Sequence, residues 1–204
     1  MVQRLNGSET TMSKTFFGIQ VVVKNFASDP LRKELHEIIA RSDAEQSLVE
    51  KRAFWKRATA VLNEALPAFE YGFWDLIRGS GAEEEFESWS SEMEGSLATE
   101  QEELGRAPDE ITRISAEKRY IVVTLLFLVE GDSNSDRTIA ERCNVPESEY
   151  WTRLTFGRLI ATIPLLNFAN VEADAVYLAP GSEDDGFSLE DLHGGGYEYL
   201  KMLL

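Results

Sequence analysis

Residues 120–129 read YIVVTLLFLV, the strongest apolar segment of the 204-residue chain. The first half of this segment is rich in β-branched residues, and a turn sequence, Gly131–Ser135, follows it. Both features favour a central β-strand, with a buried helix as the alternative. A transmembrane helix is excluded, because it would need about 20 apolar residues. The sequence therefore predicts a fold built around one buried strand.

Three more segments are predicted to accompany the central strand. Residues 15–23 (TFFGIQVVV) are aromatic and β-branched, which is typical of a buried strand. Residues 171–178 (VEADAVYL) alternate apolar and polar residues like a half-exposed strand, and residues 197–204 form a closing strand or helix. With helices between them, these strands predict a single α+β domain over 15–204, with a small mixed sheet of three or four strands. Residues 1–14 are expected to form a disordered tail.

Two helices are predicted between the first strand and the central one. The first begins with Asp29 as N-cap and Pro30 in the first helical position. In the second, Ser47 and Glu50 have the spacing of a capping box, and Pro67 ends the helix. The aromatic residues of 69–77 (FEYGFWDLI) are expected to pack beneath this second helix. Beyond the central strand, helices are predicted at 136–143 and about 147–163, and a short helical turn at 189–192.

An acidic helical segment is predicted at 80–104. Ser80 and Glu83 repeat the capping-box spacing, and an apolar stripe marks an amphipathic helix. The stripe consists of Phe86, Trp89, Met93 and Leu97. The opposite face is almost wholly acidic, so we expect its carboxylates to face water rather than to gather in a closed cavity.

The charge of the chain is concentrated in this region. The formal net charge is −16, and residues 81–110 contain 11 acidic side chains against one basic side chain, Arg106. Such a field repels nucleic acid and anionic membranes at long range. The acidic residues therefore serve either solubility or the binding of a basic protein partner.

One dense basic cluster stands against this acidic field, on the second predicted helix. It could bind phosphate or lipid headgroups, or pair with the acidic segment in the same molecule or in a second copy. Together the two charged groups form the predicted interaction surface, whose members are Glu83, Glu84, Glu87, Glu94, Lys51, Arg52 and Lys56.

Several patterns that suggest chemistry have simpler explanations. Cys143 has no local signature of a catalytic nucleophile, so a buried structural thiol is expected, with His36 partly buried and His193 in a loop. Residues 132–143 imitate a calcium loop, but Arg137 replaces its glycine and Cys143 its glutamate. The aspartates and asparagine there are better explained as turn formers and as the N-cap of the next helix.

Residues 138–145, followed by a helix, resemble half of a helix-turn-helix motif. The second helix of such a motif needs basic residues that face nucleic acid. Here it begins with Glu147 and Glu149, and only Arg153 and Arg158 follow. Two helices packed for structural reasons are therefore expected, and no nucleic acid is expected as a partner.

The order of these segments resembles an uncharacterised family of cyanobacterial and plastid proteins. The resemblance runs from Phe16 to Leu204, through FGIQVVV, the Ala65–Trp74 region, the helix with Phe86 and Trp89, and YIVVTLLFLVEG. It ends with SLEDL and YLKML. These are packing patterns, and the family has no established active site, so the resemblance implies a fold and no functional residue. Many members look membrane-tethered through a glycine-rich leader that this chain lacks.

The sequence favours a non-enzymatic acidic interaction or scaffold module that binds a basic protein. The alternative is a small-molecule or metal-dependent enzyme whose carboxylates come from distant segments. No catalytic, cofactor-binding or metal-binding residue is predicted, and a homodimer is possible. A single cysteine and the absence of an export signal in residues 1–14 indicate the cytoplasm.

Overall fold

A computed structural model describes residues 13–25, 30–40, 47–104, 119–181, 185–194 and 196–204, and of 97–104 only the backbone. Five antiparallel strands form one sheet: β1 (Lys14–Lys24), β2 (Phe69–Arg78), β3 (Tyr120–Glu130), β4 (Val171–Ala179) and β5 (Lys201–Met202). Their spatial order is β4-β3-β1-β2-β5. The predicted α+β class is confirmed, and residues 120–129 do form an interior strand, β3, which lies between β4 and β1.

The sheet has one strand more than the three or four predicted. The additional strand is β2, whose residues 69–77 were predicted only to be an aromatic segment packed beneath a helix. It pairs with β1 over most of its length, from Thr15 opposite Arg78 to Val23 opposite Phe69. Its aromatic residues fall on both faces of the sheet, so no alternation of apolar and polar residues marks it as a strand.

In the described ranges, six α-helices connect the strands: α1 (Leu31–Ala40), α2 (Leu48–Glu64), α3 (Ala82–Leu104), α4 (Asn134–Cys143), α5 (Arg153–Ile160) and α6 (Leu189–Gly194). Short 3₁₀ turns lie at Leu66–Ala68, Glu147–Glu149, Ile163–Leu165 and Phe168–Asn170. The helix predicted at 147–163 is wrong at its start, where the second of these turns lies. That helix starts only at Arg153, where the Thr152 hydroxyl accepts a hydrogen bond from the Thr155 N–H.

Both faces of the sheet are covered, so β1 and β3 are buried along nearly their whole length. On one face, Phe17, Ile19 and Val21 of β1 join the corresponding β3 residues in the main core, against α1, α2 and α5. On the other face, Phe16 and Leu126 pack against α3. Covering on both faces explains why residues 120–129 form a continuous apolar run instead of an alternating one.

The predicted capping box of α2 is present. The Ser47 hydroxyl accepts from the Glu50 N–H, and a Glu50 carboxylate oxygen accepts from the Ser47 N–H at 2.9 Å. Helix α2 ends at Glu64, just before the 3₁₀ turn that contains Pro67. Helix α1 begins after Pro30 and buries Leu31 and Leu35, whereas Asp29 lies outside the described residues.

The predicted capping box of α3 is wrong. The helix begins at Ala82, so Gly81 and not Ser80 occupies the cap position. A tight turn causes this difference: Gly79 adopts a φ of +93°, and its carbonyl accepts from the Ala82 N–H. Of the predicted tail, residues 1–12 lie outside the described residues, and Lys14 already belongs to β1.

Candidate functional site

Helix α3 lies across the sheet with its predicted apolar stripe inward. Met93 is buried, and Phe86 and Trp89 are half-buried against the sheet, where the Trp89 and Phe16 rings are 5.5 Å apart. Gly18 allows this close approach, because a Cβ atom there would come within 2.6 Å of the Phe16 ring. The side chain of Leu97 is outside the described residues.

The four glutamates predicted on the outer face of α3 are all exposed. Glu84 and Glu87 have no salt bridge with any described residue. Glu83 lies 3.2 Å from the Lys14 ammonium, and Glu94 accepts a hydrogen bond from the Tyr177 hydroxyl at 3.2 Å. These carboxylates face water, and nothing in their arrangement resembles a closed acidic cavity.

The predicted basic cluster lies on the other side of the molecule. Helix α2 packs in the main core on one face of the sheet, whereas α3 covers the opposite face. The Lys51 ammonium forms an ion pair with Asp174 of β4, and Arg52 and Lys56 are exposed. The structure therefore does not bring the seven predicted residues together, and α2 and α3 do not pair with each other within the described chain.

Asp174 organises the edge of the sheet beneath α2. Besides the Lys51 ammonium, its carboxylate accepts a hydrogen bond from the Trp55 indole N–H at 2.7 Å. Trp55 is fully buried, with its ring 4.6 Å from that of Phe127. The first residue of the basic cluster is thus a structural partner of β4, which the spacing of charges along α2 could not reveal.

Residues 132–143, which imitate a calcium loop, contain a buried structural carboxylate. Asp136 is fully buried and accepts hydrogen bonds from the Thr15 hydroxyl, the Arg78 guanidinium and the Asp132 N–H. Burial by itself would raise the pKa of Asp136, but the bonds from Arg78 and Thr15 outweigh it and hold the pKa below the ordinary value. The N-cap of α4 is Ser133, not an aspartate or asparagine.

Cys143 is a buried free thiol, as predicted. Burial raises its pKa to about 12, with Asp75 adding to the effect and Arg158 opposing it. At neutral pH the group is a protonated thiol and a poor nucleophile. His36 is half-buried on α1. His193 lies near the end of α6, exposed, with its ring 6.2 Å from that of Tyr71, and not in the predicted loop.

The resemblance to a helix-turn-helix motif does not extend to the connection between the two helices. A 3₁₀ turn and several further residues separate α4 from α5. The two arginines of the second helix are both hydrogen-bonded within the chain. The Arg153 guanidinium donates to the Phe69 carbonyl at 2.7 Å, and Arg158 donates to the Arg142 carbonyl at 2.9 Å. Helix α5 buries Phe156, Leu159 and Ile160 in the main core, so it is a packing helix.

A groove runs beside the outer edge of β2. Its volume is about 510 Å³, it is open to solvent, and β2, α4 and the turn before α5 form its walls. The lining residues are Phe73, Trp74, Asp75, Leu76, Ala140, Cys143, Asn144, Tyr150 and Trp151. The sequence did not predict this groove, because residues 69–77 lack the alternation that marks a strand. The density of aromatic residues in 69–77 was the available signal.

The groove is aromatic with a single carboxylate. The Oδ1 atom of Asp75 accepts a hydrogen bond from the Leu76 N–H at 2.8 Å. The enzyme alternative would be favoured by a deep pocket that is lined by several aspartates or glutamates and has Trp74 or Trp89 in its wall. Trp74 does line the groove, but Asp75 is the one carboxylate among its lining residues.

Metal clusters and membrane-spanning helices are both absent from the described part of the chain. No three histidine, cysteine, aspartate or glutamate side chains among the described residues lie close enough together to hold a metal ion. No helix in the described ranges is long and apolar enough to cross a bilayer. Comparison with known proteins found no matching family model, no similar curated protein and no similar solved structure. The resemblance to the cyanobacterial and plastid family stays a prediction.

Proposed function

We propose that this protein is a non-enzymatic interaction module that binds a basic protein partner through the outer face of α3. The supporting observation is the separation of roles on this helix: its apolar side is packed on the sheet, while Glu83, Glu84, Glu87 and Glu94 are exposed. Exposed charge of one sign raises association rates and selects partners of the opposite sign. Membership of the cyanobacterial and plastid family and a cytoplasmic location belong to the same proposal.

A salt-sensitive capture experiment tests this function. The purified chain is immobilised, basic proteins from a cell lysate are captured at low ionic strength, and bound proteins are eluted with rising salt. The test variant combines Glu84→Gln, Glu87→Gln and Glu94→Gln. The matched control combines Glu64→Gln, Glu141→Gln and Glu190→Gln, three exposed glutamates on other elements, and has the same net charge.

We expect a specific partner to bind the wild-type chain and the control, and to bind the α3 variant at least about tenfold more weakly, as loss of several steering charges implies. Equal weakening by both variants would show that net charge alone attracts proteins. Failure of any basic protein to bind at low salt would refute the proposed function.

A second copy of this chain is one candidate partner, because each copy presents an acidic face on α3 and a basic one on α2. Arg52 and Lys56 of one copy could then contact Glu84 and Glu87 of another. Sedimentation at low and high salt tests this possibility. A dimer that dissociates with salt, and that the Arg52→Gln, Lys56→Gln double variant abolishes, would support it.

A further inference from the structure

We propose that the outer edge of β2, over residues 73–78, is a second binding site. It takes an extended segment of a basic protein as an added strand, with a lysine or arginine side chain of that segment in the aromatic groove. This site does not depend on the surface proposed on α3, because the backbone groups of β2 and the side chains of the groove would form it, without the glutamates of α3.

Beyond Gly72, the β2 edge pairs with no other described strand, and only the side chain of Phe73, at its start, is packed against the Trp151 and Tyr199 rings. Strand β5 pairs only with Tyr71 and Gly72, and no other described strand lies on that side of residues 73–78. The Glu70 carbonyl accepts from the Leu203 N–H on the β5 side. Because backbone groups alternate sides along an antiparallel strand, the N–H and C=O groups of Trp74 and Leu76 also point outward. They are a template for another strand.

One outward donor is satisfied by an oxygen that an incoming strand can replace. The Leu76 N–H donates to the Oδ1 atom of Asp75, its own neighbour in the strand, at 2.8 Å. A carbonyl of an added strand can take the place of this oxygen, and the freed carboxylate then remains available to a cationic side chain. Natural edges are commonly protected by charged residues or by a covering element. Here the residues on either side of Asp75 are Trp74 and Leu76.

The wall of the groove is aromatic and held in place. The Trp74 and Tyr150 rings are 5.4 Å apart at 79°, and the Tyr150 and Trp151 rings are 6.3 Å apart at 84°. The Trp74 indole N–H donates to the Tyr150 carbonyl at 3.1 Å, and the Trp151 carbonyl accepts from the Leu204 N–H at 3.1 Å. Aromatic rings fixed in this way attract lysine and arginine side chains through cation–π contacts.

The charges around the groove also favour a cationic segment. Asp75 lines the groove, and the exposed Glu147 and Glu149 lie on the turn directly before Tyr150. A further carboxylate, that of Glu85, lies on the α3 side of the sheet. It accepts a hydrogen bond from the indole N–H of Trp89, whose ring lies 6.0 Å from that of Phe73. The nearby Arg158 is a cation that opposes this field, and a hydrogen bond from its guanidinium to the Arg142 carbonyl holds it in place.

The probe for this site is a panel of synthetic peptides of about seven residues, with β-branched residues alternating with lysine or arginine. Binding is measured by isothermal calorimetry and by chemical-shift changes of the backbone amides. We expect dissociation constants from about 10 μM to about 1 mM, typical of short weak ligands. Peptides with glutamate in place of each basic residue should not bind.

Backbone methylation of the peptide separates strand addition from simple charge attraction. Methylation of alternate nitrogens in one register removes the donors that face β2, whereas the other register leaves them intact. We expect the first to weaken binding at least about tenfold and the second to change it less than about twofold. Binding should also slow hydrogen exchange at the amides of Trp74 and Leu76.

Two substitutions test the groove itself. Asp75→Asn keeps an oxygen that can accept from the Leu76 N–H but removes the charge, and should weaken binding about fivefold. Tyr150→Leu removes one aromatic wall and should have a similar effect, with thermal unfolding as the check on folding. The α3 variant with Glu84→Gln, Glu87→Gln and Glu94→Gln should bind the peptides within about twofold of the wild type, since it leaves the edge intact.

Each contrary result would overturn this proposal. Absence of binding across the panel at about 1 mM peptide would do so, as would equal effects of the two methylation registers. Equal weakening by the α3 variant and by Asp75→Asn would move the peptide to α3, which supports the proposed function alone. Slow exchange at Trp74 and Leu76 in a dimer without peptide would show that a second copy of this chain occupies the edge.

Discussion

The two edges of the sheet differ in the charged side chains that they carry. The β4 edge has carboxylates, with Glu172 beside the Lys14 ammonium at 2.9 Å and Asp174 bound to Lys51 and Trp55. The β2 edge beyond Gly72 reads FWDLIR and has one carboxylate that is bonded to its own strand. Charged residues discourage the addition of another strand. The difference indicates that ion-paired carboxylates protect β4 against pairing, whereas Asp75 is the one charged residue among residues 73–77 of β2.

Loss of Asp136 should have the largest effect on this comparison, because its carboxylate ties the end of β2 to α4 through Arg78. Asp136→Ala leaves the buried Thr15 hydroxyl and the Asp132 N–H without their acceptor. We expect a loss of about 3 kcal/mol, at the lower end for a broken buried pair because Arg78 is half exposed. Urea unfolding measures it, and a loss below about 1 kcal/mol would contradict this role.

The same residue predicts a pH dependence. The folded-state pKa of Asp136 is lowered, so its contribution to stability is complete above the unfolded-state pKa of about 4. The contribution is lost as the pH falls through the lower folded-state pKa. Asp136→Asn lacks this ionisable group, so the difference in unfolding free energy between the wild type and this variant should shrink as the pH falls below about 4. A constant difference from about pH 7 to about pH 2 would refute the assignment.

Removal of the Asp174 carboxylate from the β4 edge should have the next largest effect. Asp174→Val leaves the buried Trp55 indole N–H without its acceptor, which costs about 1–3 kcal/mol. The variant should also aggregate more readily, because its β4 edge loses one of its two carboxylates. Urea unfolding and light scattering measure the two effects. Glu172→Gln, which keeps Asp174 and replaces one exposed carboxylate of the same strand by a polar amide, is the control and should aggregate less than Asp174→Val.

A smaller effect is expected at Asp75 on the β2 edge. Asp75→Ala frees the Leu76 N–H and should destabilise the fold by about 0.5–1 kcal/mol, because water can replace the lost acceptor. Asp75→Asn retains an acceptor oxygen and should stay within about half of that loss. Hydrogen exchange at the Leu76 amide should quicken in the alanine variant. Unchanged exchange would mean that the Asp75 oxygen does not protect this amide.

The smallest effect is expected where β4 meets α3. Tyr177→Phe removes the hydroxyl that donates to Glu94, an exposed contact, and should change stability by less than about 0.5 kcal/mol. Urea unfolding again measures it. A change above about 1 kcal/mol would show that polar contacts, rather than the stripe with Phe86, Trp89 and Met93, hold α3 on the sheet.

Much of the fold was predictable because some of its interactions are local. The capping box of Ser47 and Glu50 involves residues three apart, and the apolar stripe of α3 follows the helical period. The strand at 120–129 and the exposure of Glu84 and Glu87 were also readable from composition. By contrast, the predicted cap at Ser80 was displaced by one residue, because the turn at Gly79 is set by the hydrogen bond between its N–H and the Lys14 carbonyl.

By itself, the sequence determined the α+β class, the central strand, the amphipathic acidic helix and a buried Cys143, because hydrophobic periodicity and local capping act within one segment. Only the tertiary structure decided that β2 is a strand, that α2 and α3 lie on opposite faces, and that the groove forms beside Trp74 and Tyr150. These features arise from contacts between distant parts of the chain, such as the pairing of β1 with β2 and the hydrogen bond between Trp74 and Tyr150, 76 positions apart. Such contacts depend on strand order and packing, which one-dimensional patterns do not encode.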